Sequence, residues 1–512
     1  MLLLVLVALL AWFLYLGSRK PRGFPPGPVR LPLVGYLPNM KSEHIYKQLW
    51  QMSSTYGNII GLYFGSQATI IVNGWEAVKE SILNDDLDGR PENIFSNIFF
   101  NDKQRGVMFV ENDFWKEQRR FTLHKFRDLG FGKRSHEEVI QEEANELIKE
   151  IKETKGSISL QGMVGVSAIN ILWALMGGTR FSRKDGRLLH LVNILNELFR
   201  SGNAAGGIET VFPALRHIMP DSSSFNTAIR NIKPIQEFIK KSVAEHKADF
   251  DADNPRDFID IYITELKKRK FEEDTTFTDD QLLAICGDVF SAGVETGSSS
   301  VSFAILLSVL SPHVMGKIQQ ELDNVVGNVR LPSMNDRTKL VYTDATQTEV
   351  FRYRGSAPLT VPHKALRDTK LQCFLTMLTS NTRCPGLVLV HNWHDKICFG
   401  FRIPAGTVVM NNLYSVHMDP GYWGDPETFR PERFINPDGS FRKDERVIPF
   451  GKGRRSCLGE SLARMTTFLL FSSLMQHFTF SLDPAIPVTN TDGKMGFTLA
   501  PPDFRVFAKA RL

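Results

Sequence analysis

Residues 450 to 459 read Phe450-Gly-Lys-Gly-Arg-Arg-Ser-Cys457-Leu-Gly459 and run from a glycine-rich loop into an apolar segment. The glycines at 451 and 453 let the backbone turn tightly and approach a flat cofactor, Arg455 can meet a carboxylate, and Cys457 can supply a thiolate. Glu460 to Phe478 follows as an expected helix, apolar nearly all round from Met465 onward, so Cys457 falls at or just before a helix N-terminus. Unpaired N–H groups and the helix dipole at such an end favour an anionic sulfur over the thiol. A lone cysteine is by default a small buried core residue. Its surroundings argue otherwise here. Phe-x-x-Gly-x-Arg-x-Cys-x-Gly fixes five positions. At roughly one in twenty per position, a chain of this length shows it by chance with probability on the order of one in ten thousand.

This stretch closely resembles the haem-binding signature of the cytochrome P450 family, which implies haem b with Cys457 as its axial thiolate and with Phe450 and Arg455 in the cofactor loop. Four other stretches fit the same family in the family's order. Trp115-Lys-Glu-Gln-Arg119 places Trp115 and Arg119 on one helical face, read alone as a solvated helix with one buried edge. The resemblance implies that both reach a haem propionate. Arg90 and His363 resemble further propionate contacts, a satisfied surface histidine being the competing reading of the latter. Asp279 to Leu310 reads as the longest helix and contains Ala292-Gly-Val-Glu-Thr296. Small residues there let a helix pass close over a ligand, and Thr296 can turn its hydroxyl onto the carbonyl of Ala292. The motif resembles the family's oxygen-binding helix, which implies proton delivery by Thr296 with Glu295. Glu349-Val-Phe-Arg352 joined to Phe429-Arg-Pro-Glu-Arg433-Phe resembles a buried ion network, so Glu349, Arg352 and Arg433 are expected to be structural.

The resemblance implies a mainly α fold with a minor β domain and a monooxygenase inserting one oxygen atom from O2 into an apolar molecule by hydroxylation or epoxidation. No Rossmann or flavin motif occurs, so electrons from NADPH are expected through a separate reductase, with cytochrome b5 as a further partner. Lys116, Arg120, Lys452 and Arg454 are expected on the docking face. The chain looks like microsomal P450s of the second clan. Pro255-Arg-Asp-Phe-Ile-Asp260 and Ala357-Pro-Leu-Thr-Val-Pro362 look like insect members, among them methyl farnesoate epoxidases and ecdysteroid hydroxylases. Terpenoid hormone precursor, ecdysteroid and xenobiotic all stand as substrate classes. The segments Ala357 to Pro362 and Gly496 to Ala500 offer few charges, which suits an apolar substrate. A haem-thiolate isomerase or dehydratase would need no proton relay, and a catalytically silent protein is the other alternative.

The 512 residues carry a net charge of +5, mildly basic, which suits acidic partners or anionic lipid, and no nucleic-acid motif occurs. Five cysteines, unevenly spaced, do not form a disulfide framework, so the catalytic domain is expected in a reducing compartment. Leu2 to Leu16 is an uninterrupted apolar run of roughly 22 Å as a helix, followed by Ser18-Arg-Lys-Pro-Arg22. Residues 1–17 read as an uncleaved anchor in the endoplasmic reticulum membrane with the following basic side cytosolic, a cleavable signal peptide being the competing reading. Residues 18–40, with Phe24-Pro-Pro-Gly-Pro28, read as a basic, stiff linker to a domain over 41–512. Gly202-Asn-Ala-Ala-Gly-Gly207 and Val211-Phe-Pro213 resemble the loop that covers the substrate pocket and meets the membrane.

One stretch departs from the family. Asp368-Thr-Lys-Leu371 should lead almost directly into Phe399-Gly-Phe-Arg-Ile-Pro-Ala-Gly406, yet 372–398 intervenes with three of the five cysteines. A zinc cluster of Cys373, Cys384, His391, His394 and Cys398 lacks a paired Cys-x-x-Cys knuckle. A regulatory loop and non-native coding sequence are the other readings, the last preferred because removal restores a family-like hairpin. Within it, Gly386-Leu-Val-Leu-Val390 reads as an exposed β-prone run.

Overall fold

The computed structural model describes residues 18–40, 43–91, 104–131, 134–201, 224–373, 388–390 and 398–511. The expected anchor over 1–17, the pocket-covering stretch 202–213 and most of the 372–398 insertion lie outside the described residues.

The fold is mainly helical, as expected. Its longer helices, among the described residues, are α1 (Ile45–Gln51), α2 (Trp75–Leu83), α3 (Asn112–Asp128), α4 (Arg134–Glu153), α5 (Leu160–Met176), α6 (Gly186–Ser201), α7 (Ser224–Ala248), α8 (Phe258–Lys268), α9 (Asp279–Leu310), α10 (Pro312–Val325), α11 (Val341–Tyr353) and α12 (Glu460–His477). The helix α9 has the limits read from the sequence. Its start is fixed locally: the Thr278 hydroxyl accepts the Gln281 N–H at 3.2 Å, and Asp279 and Asp280 complement the dipole in the first turn. Its mostly apolar composition reflects burial in the core, although among the described residues it is also the one helix long and apolar enough to cross a membrane. Packing against α5 sets its glycines. A Cβ on Gly293 would meet Leu172 Cδ1 at 2.5 Å. The small size of Gly293 thus also makes room for α5.

Four small sheets complete the fold. The strands β1 (Ile59–Phe64) and β2 (Gln67–Val72) form a hairpin, and β2 runs parallel to β7 (Val408–Asn411), with Thr69 opposite Val408. β3 (His363–Lys364) closes the order β1-β2-β7-β3. β4 (Thr369–Cys373), β6 (Cys398–Ile403) and β5 (Val388–Val390) make a second sheet in the order β4-β6-β5. Val388–Val390 of the β-prone run is thus an edge strand on β6, and β4 and β6 pair across the insertion with Leu371 opposite Phe401. β8 (Phe478–Leu482) pairs with β11 (Val506–Ala510), and β9 (Lys494–Met495) with β10 (Leu499–Ala500).

The segment 18–40 is not a free spacer. Gly61 in β1 donates its N–H to Pro26 O at 2.7 Å, Lys20 Nζ donates to Gly61 O at 2.9 Å, and Phe24 is buried. A Cβ on Gly61 would lie 2.4 Å from Pro25 O, so a glycine inside the strand is what lets the proline-rich backbone cross it. Burial lowers the Lys20 pKa to about 8.

Candidate active site

The cysteine loop lies against α2 and enters α12. Gly451 and Gly453 sit at φ 69° and 74°, where other residues are strained, and a Cβ on Gly453 would meet Ile82 O at 2.5 Å. The turn is closed by the Cys457 N–H, which donates to Phe450 O at 2.9 Å. The Phe450 ring stands edge-on to Phe351 at 5.3 Å, with the Arg464 guanidinium 4.8 Å above it. Cys457 precedes Gly459, the residue that caps α12. Burial pushes the Cys457 thiol up, the Glu460 charge adds to this, and the Gly459 N–H and the Arg119 charge pull it down. Its surface is nevertheless accessible.

Beside this sulfur the chain gathers cations. Arg119 on α3 donates to Ser456 O, and the Arg455 guanidinium stacks 3.6 Å over the Trp115 ring. Arg455 also donates to Asp88 O at 2.8 Å and Val110 O at 2.9 Å. Arg90 is buried and spends its donors on carbonyls, Nε on Met108 O at 2.9 Å and Nη1 on Pro362 O at 2.9 Å. Arg90 is therefore at least partly a loop brace, a role its place in the sequence did not reveal. His363 is buried in β3, not at the surface, and its Nδ1 lies 2.9 Å from Leu87 O.

The electrostatics say what this cluster lacks. Burial, and then the Arg455 charge, bring the Arg90 pKa down to about 9. Burial brings that of Arg455 to about 10, partly offset by Asp88 and reinforced by Arg119. Burial first, then Arg90, holds His363 well below the usual histidine range. The Trp115 Nε1–H is buried without a hydrogen-bond partner. Crowded, desolvated guanidinium groups beside an orphaned indole N–H form a receptor for carboxylates. A thiolate donor some residues away completes the set of groups that suits haem, with its iron and two propionates.

On α9, Thr296 Oγ1 donates to Ala292 O at 2.6 Å, as expected. Ala292, Gly293 and Thr296 are half-buried, as are Gly297 and Ser300 further along α9. Glu295, next to Thr296 in the chain, is fully buried, and its carboxylate accepts from Arg200, Thr498 and Ser299. Burial pushes its carboxyl up, and the Arg200 charge opposes this.

The structural network is closed. Glu349 Oε2 and Oε1 accept Arg352 Nε at 2.6 Å and Nη2 at 2.7 Å, and Arg433 Nε lies 3.3 Å from Oε1. On the face near the cysteine loop, Lys452 lies 4.7 Å over the Trp75 ring and Arg120 is exposed, whereas Lys116 pairs with Asp113 and Arg454 with Asp85.

Sequence reasoning missed the groups that tie the segment 106–108 to α9. Gln281 exchanges two hydrogen bonds with the Gly106 backbone, each 2.9 Å, and Asp288 Oδ2 accepts Val107 N–H at 2.7 Å and Met108 N–H at 2.9 Å. Gln281 and Asp288 stand two turns apart on one face, a spacing that could have marked them. Burial raises the Asp288 pKa to about 6, opposed by these two N–H groups. Phe109, Phe199 and Phe497 converge from three segments, with Phe497 edge-on to Phe199 at 5.9 Å and to Phe109 at 6.4 Å.

Comparison with known proteins agrees with this geometry over nearly the whole chain. The cytochrome P450 family profile matches residues 25–382 and 392–507, and its interruption falls inside the insertion. Cytochrome P450 2C28 of Mesocricetus auratus is 34% identical over 511 residues, covering 99% of this chain and 98% of its own. Cytochrome P450 2J3 of Rattus norvegicus is 33% identical over 516 residues, covering 100% and 96%. Farnesoate epoxidase of Bombyx mori is 31% identical over 521 residues, covering 100% and 99%. A match of this extent, on a mainly helical fold that brings a cysteine loop and a carboxylate receptor together, places the chain in the cytochrome P450 family, haem-thiolate monooxygenases supplied with NADPH electrons by a reductase.

Proposed function

We propose that this monooxygenase hydroxylates or epoxidises an apolar, small to medium substrate, with a farnesoate-like terpenoid as first candidate beside ecdysteroids and xenobiotics. The aromatic trio Phe109, Phe199 and Phe497 supports an apolar pocket, and the farnesoate epoxidase of Bombyx mori among the relatives supports the terpenoid. Cys457 would supply the thiolate that holds haem iron, and Trp115, Arg119, Arg455 and His363 would hold the propionates, with Arg90 bracing the loop between them. Bound haem supplies O2 activation, and electron donation by a cysteine thiolate to favour O–O cleavage is a known property of cytochromes P450. Thr296 holds a hydroxyl where a proton must arrive. Its bond to Ala292 O leaves its oxygen lone pairs available to accept one.

Lys452 and Arg120, less neutralised than Lys116 and Arg454, supply the positive charge for reductase, with cytochrome b5 competing for the same face. The protein works on the cytosolic side of the endoplasmic reticulum membrane, held by residues 1–17. The observation that carries this reading is the accessible yet desolvated Cys457 sulfur beside a receptor for carboxylates. Replacing Cys457 by Ser tests it: the thiolate signature of the reduced, carbon monoxide-bound protein is lost, while Cys286→Ser retains it. Survival of that signature in Cys457→Ser would refute the assignment.

A further inference from the structure

Glu295 lies one residue from Thr296, yet the two side chains have separate surroundings. Thr296 is half-buried and bonded within its own helix, whereas Glu295 is fully buried among donors from other segments. Its Oε1 accepts Arg200 Nη2 at 2.6 Å and Ser299 Oγ at 3.1 Å, and its Oε2 accepts Thr498 Oγ1 at 2.6 Å. Arg200 comes from the last turn of α6, and Thr498 from the turn between β9 and β10.

The same two segments are joined a second time. Arg200 Nη1 donates to Lys494 O at 3.1 Å, and the Phe497 N–H donates to Phe199 O at 2.8 Å. A Cβ on Gly496 would lie 2.0 Å from Phe199 O, so the turn is pressed against α6 as closely as a glycine permits. Phe199 and Phe497, which this contact aligns, are two of the three rings of the aromatic trio.

We propose that Glu295 is a positioning residue that clasps α6 and the β9–β10 turn onto α9 and so fixes the aromatic trio, while Thr296 handles protons without its carboxylate. A proton carrier must be free to exchange its proton with water and then turn to its target. Glu295 has no exposed surface, and turning it would strip Arg200 of its carboxylate and Thr498 of its acceptor. Its charge is used to hold a guanidinium in place. The inference rests on the reading of Thr296 and Cys457 as the two sides of the haem site.

The test uses the full-length holoenzyme with added reductase and two probes that bind haem iron through a nitrogen: imidazole, which carries no apolar substituent, and a bulky triaryl imidazole. Glu295→Gln, Arg200→Met and the double variant are compared with Thr296→Ala. Each single variant is expected to weaken the bulky probe about tenfold, because a pocket no longer held in place must be ordered on binding. Imidazole affinity stays unchanged. The double variant is no weaker than either single one, as for two ends of one interaction. The solvent deuterium isotope effect on NADPH consumption stays at the wild-type value in Glu295→Gln and changes in Thr296→Ala. A changed isotope effect in Glu295→Gln, or wild-type affinity for the bulky probe in Arg200→Met, would overturn the proposal. If Glu295→Gln loads no haem, Arg200→Met decides by the same titration. Failure of imidazole to perturb the wild-type spectrum would instead count against the haem-site reading itself.

Discussion

Replacing Glu349 by Gln keeps the shape of the side chain and removes its charge at the centre of the buried ion network. Glu349 and Arg352 have no exposed side-chain surface, and Arg433 is 4% exposed. The carboxylate accepts two hydrogen bonds from Arg352, one from Arg433 and one from the Arg430 N–H at 2.9 Å. An amide in its place turns an N–H2 group toward guanidinium donors. The loss falls unequally on the two arginines. Arg433 Nη1 keeps the Asp425 carboxylate at 2.7 Å, whereas the other acceptors of Arg352 are all neutral, His417 O at 2.7 Å, Pro426 O at 3.0 Å and Met418 Sδ at 3.6 Å. Stranding one buried charge costs about 3 to 5 kcal/mol. Against a total stability of roughly 5 to 15 kcal/mol, that is a large share. At about 1.4 kcal/mol per factor of ten, it shifts the folding equilibrium by roughly two to four powers of ten. The assay is a urea midpoint and the haem bound per chain after purification. Both fall in Glu349→Gln, and Arg433→Lys, which leaves Arg352 paired, falls less. Turnover per bound haem stays at the wild-type value. An unchanged midpoint, or lost turnover per haem at full haem content, would show that the network is not the structural element described.

Thr296→Ala is expected to bind haem and substrate as before while product per NADPH drops by about tenfold or more and hydrogen peroxide rises, the scale of a lost proton donor; unchanged coupling would refute that role. Burial lowers the His246 pKa, but its hydrogen bonds to Asp257 and Ser242 O and the charges of Asp257 and Asp260 outweigh this and raise it overall. A histidine raised in the fold binds its proton more tightly there, so this stability is present below the ordinary value of 6.5 and is lost as pH rises through the folded pKa. Urea midpoints of wild type and His246→Gln should therefore converge on going from acid to alkaline pH, and parallel profiles would count against the pair. Deleting 372–398 joins Leu371 to Phe399 and leaves Phe399-Gly400 as a two-residue turn between the paired Leu371 and Phe401, with glycine where a tight hairpin accepts it. Haem content and solubility are expected to hold or improve, and loss of haem would show the segment to be a working part.

Elements with local signals were legible. Thr278 with Asp279 and Asp280 announces the start of α9, and Ile59 to Phe64, a short apolar run rich in β-branched and aromatic residues that ends at Gly65, forms β1. Glu349 and Arg352 were legible as a pair because three residues of helix place them side by side. The strap over 18–40 was not, since prolines describe a stiff backbone and say nothing of what it lies against. Its partner, Gly61, looks in isolation like a weak point in a strand.

Glu295 shows why motif and geometry part company. The sequence order places it next to Thr296, and adjacency suggested a shared task, but neighbours on a helix point about 100° apart. What decides the side chain's role is Arg200, 95 residues earlier, and Thr498, 203 residues later. Neither belongs to a stretch whose composition stands out, and each is an ordinary polar residue until the chain brings α6, α9 and the β9–β10 turn together. The cysteine loop is the opposite case: its glycines, its arginine and its sulfur are adjacent because one tight turn must present them all, so the chemistry could be read before the fold was known. Residues that act through the local backbone leave a local pattern, and those that hold distant segments in register leave none.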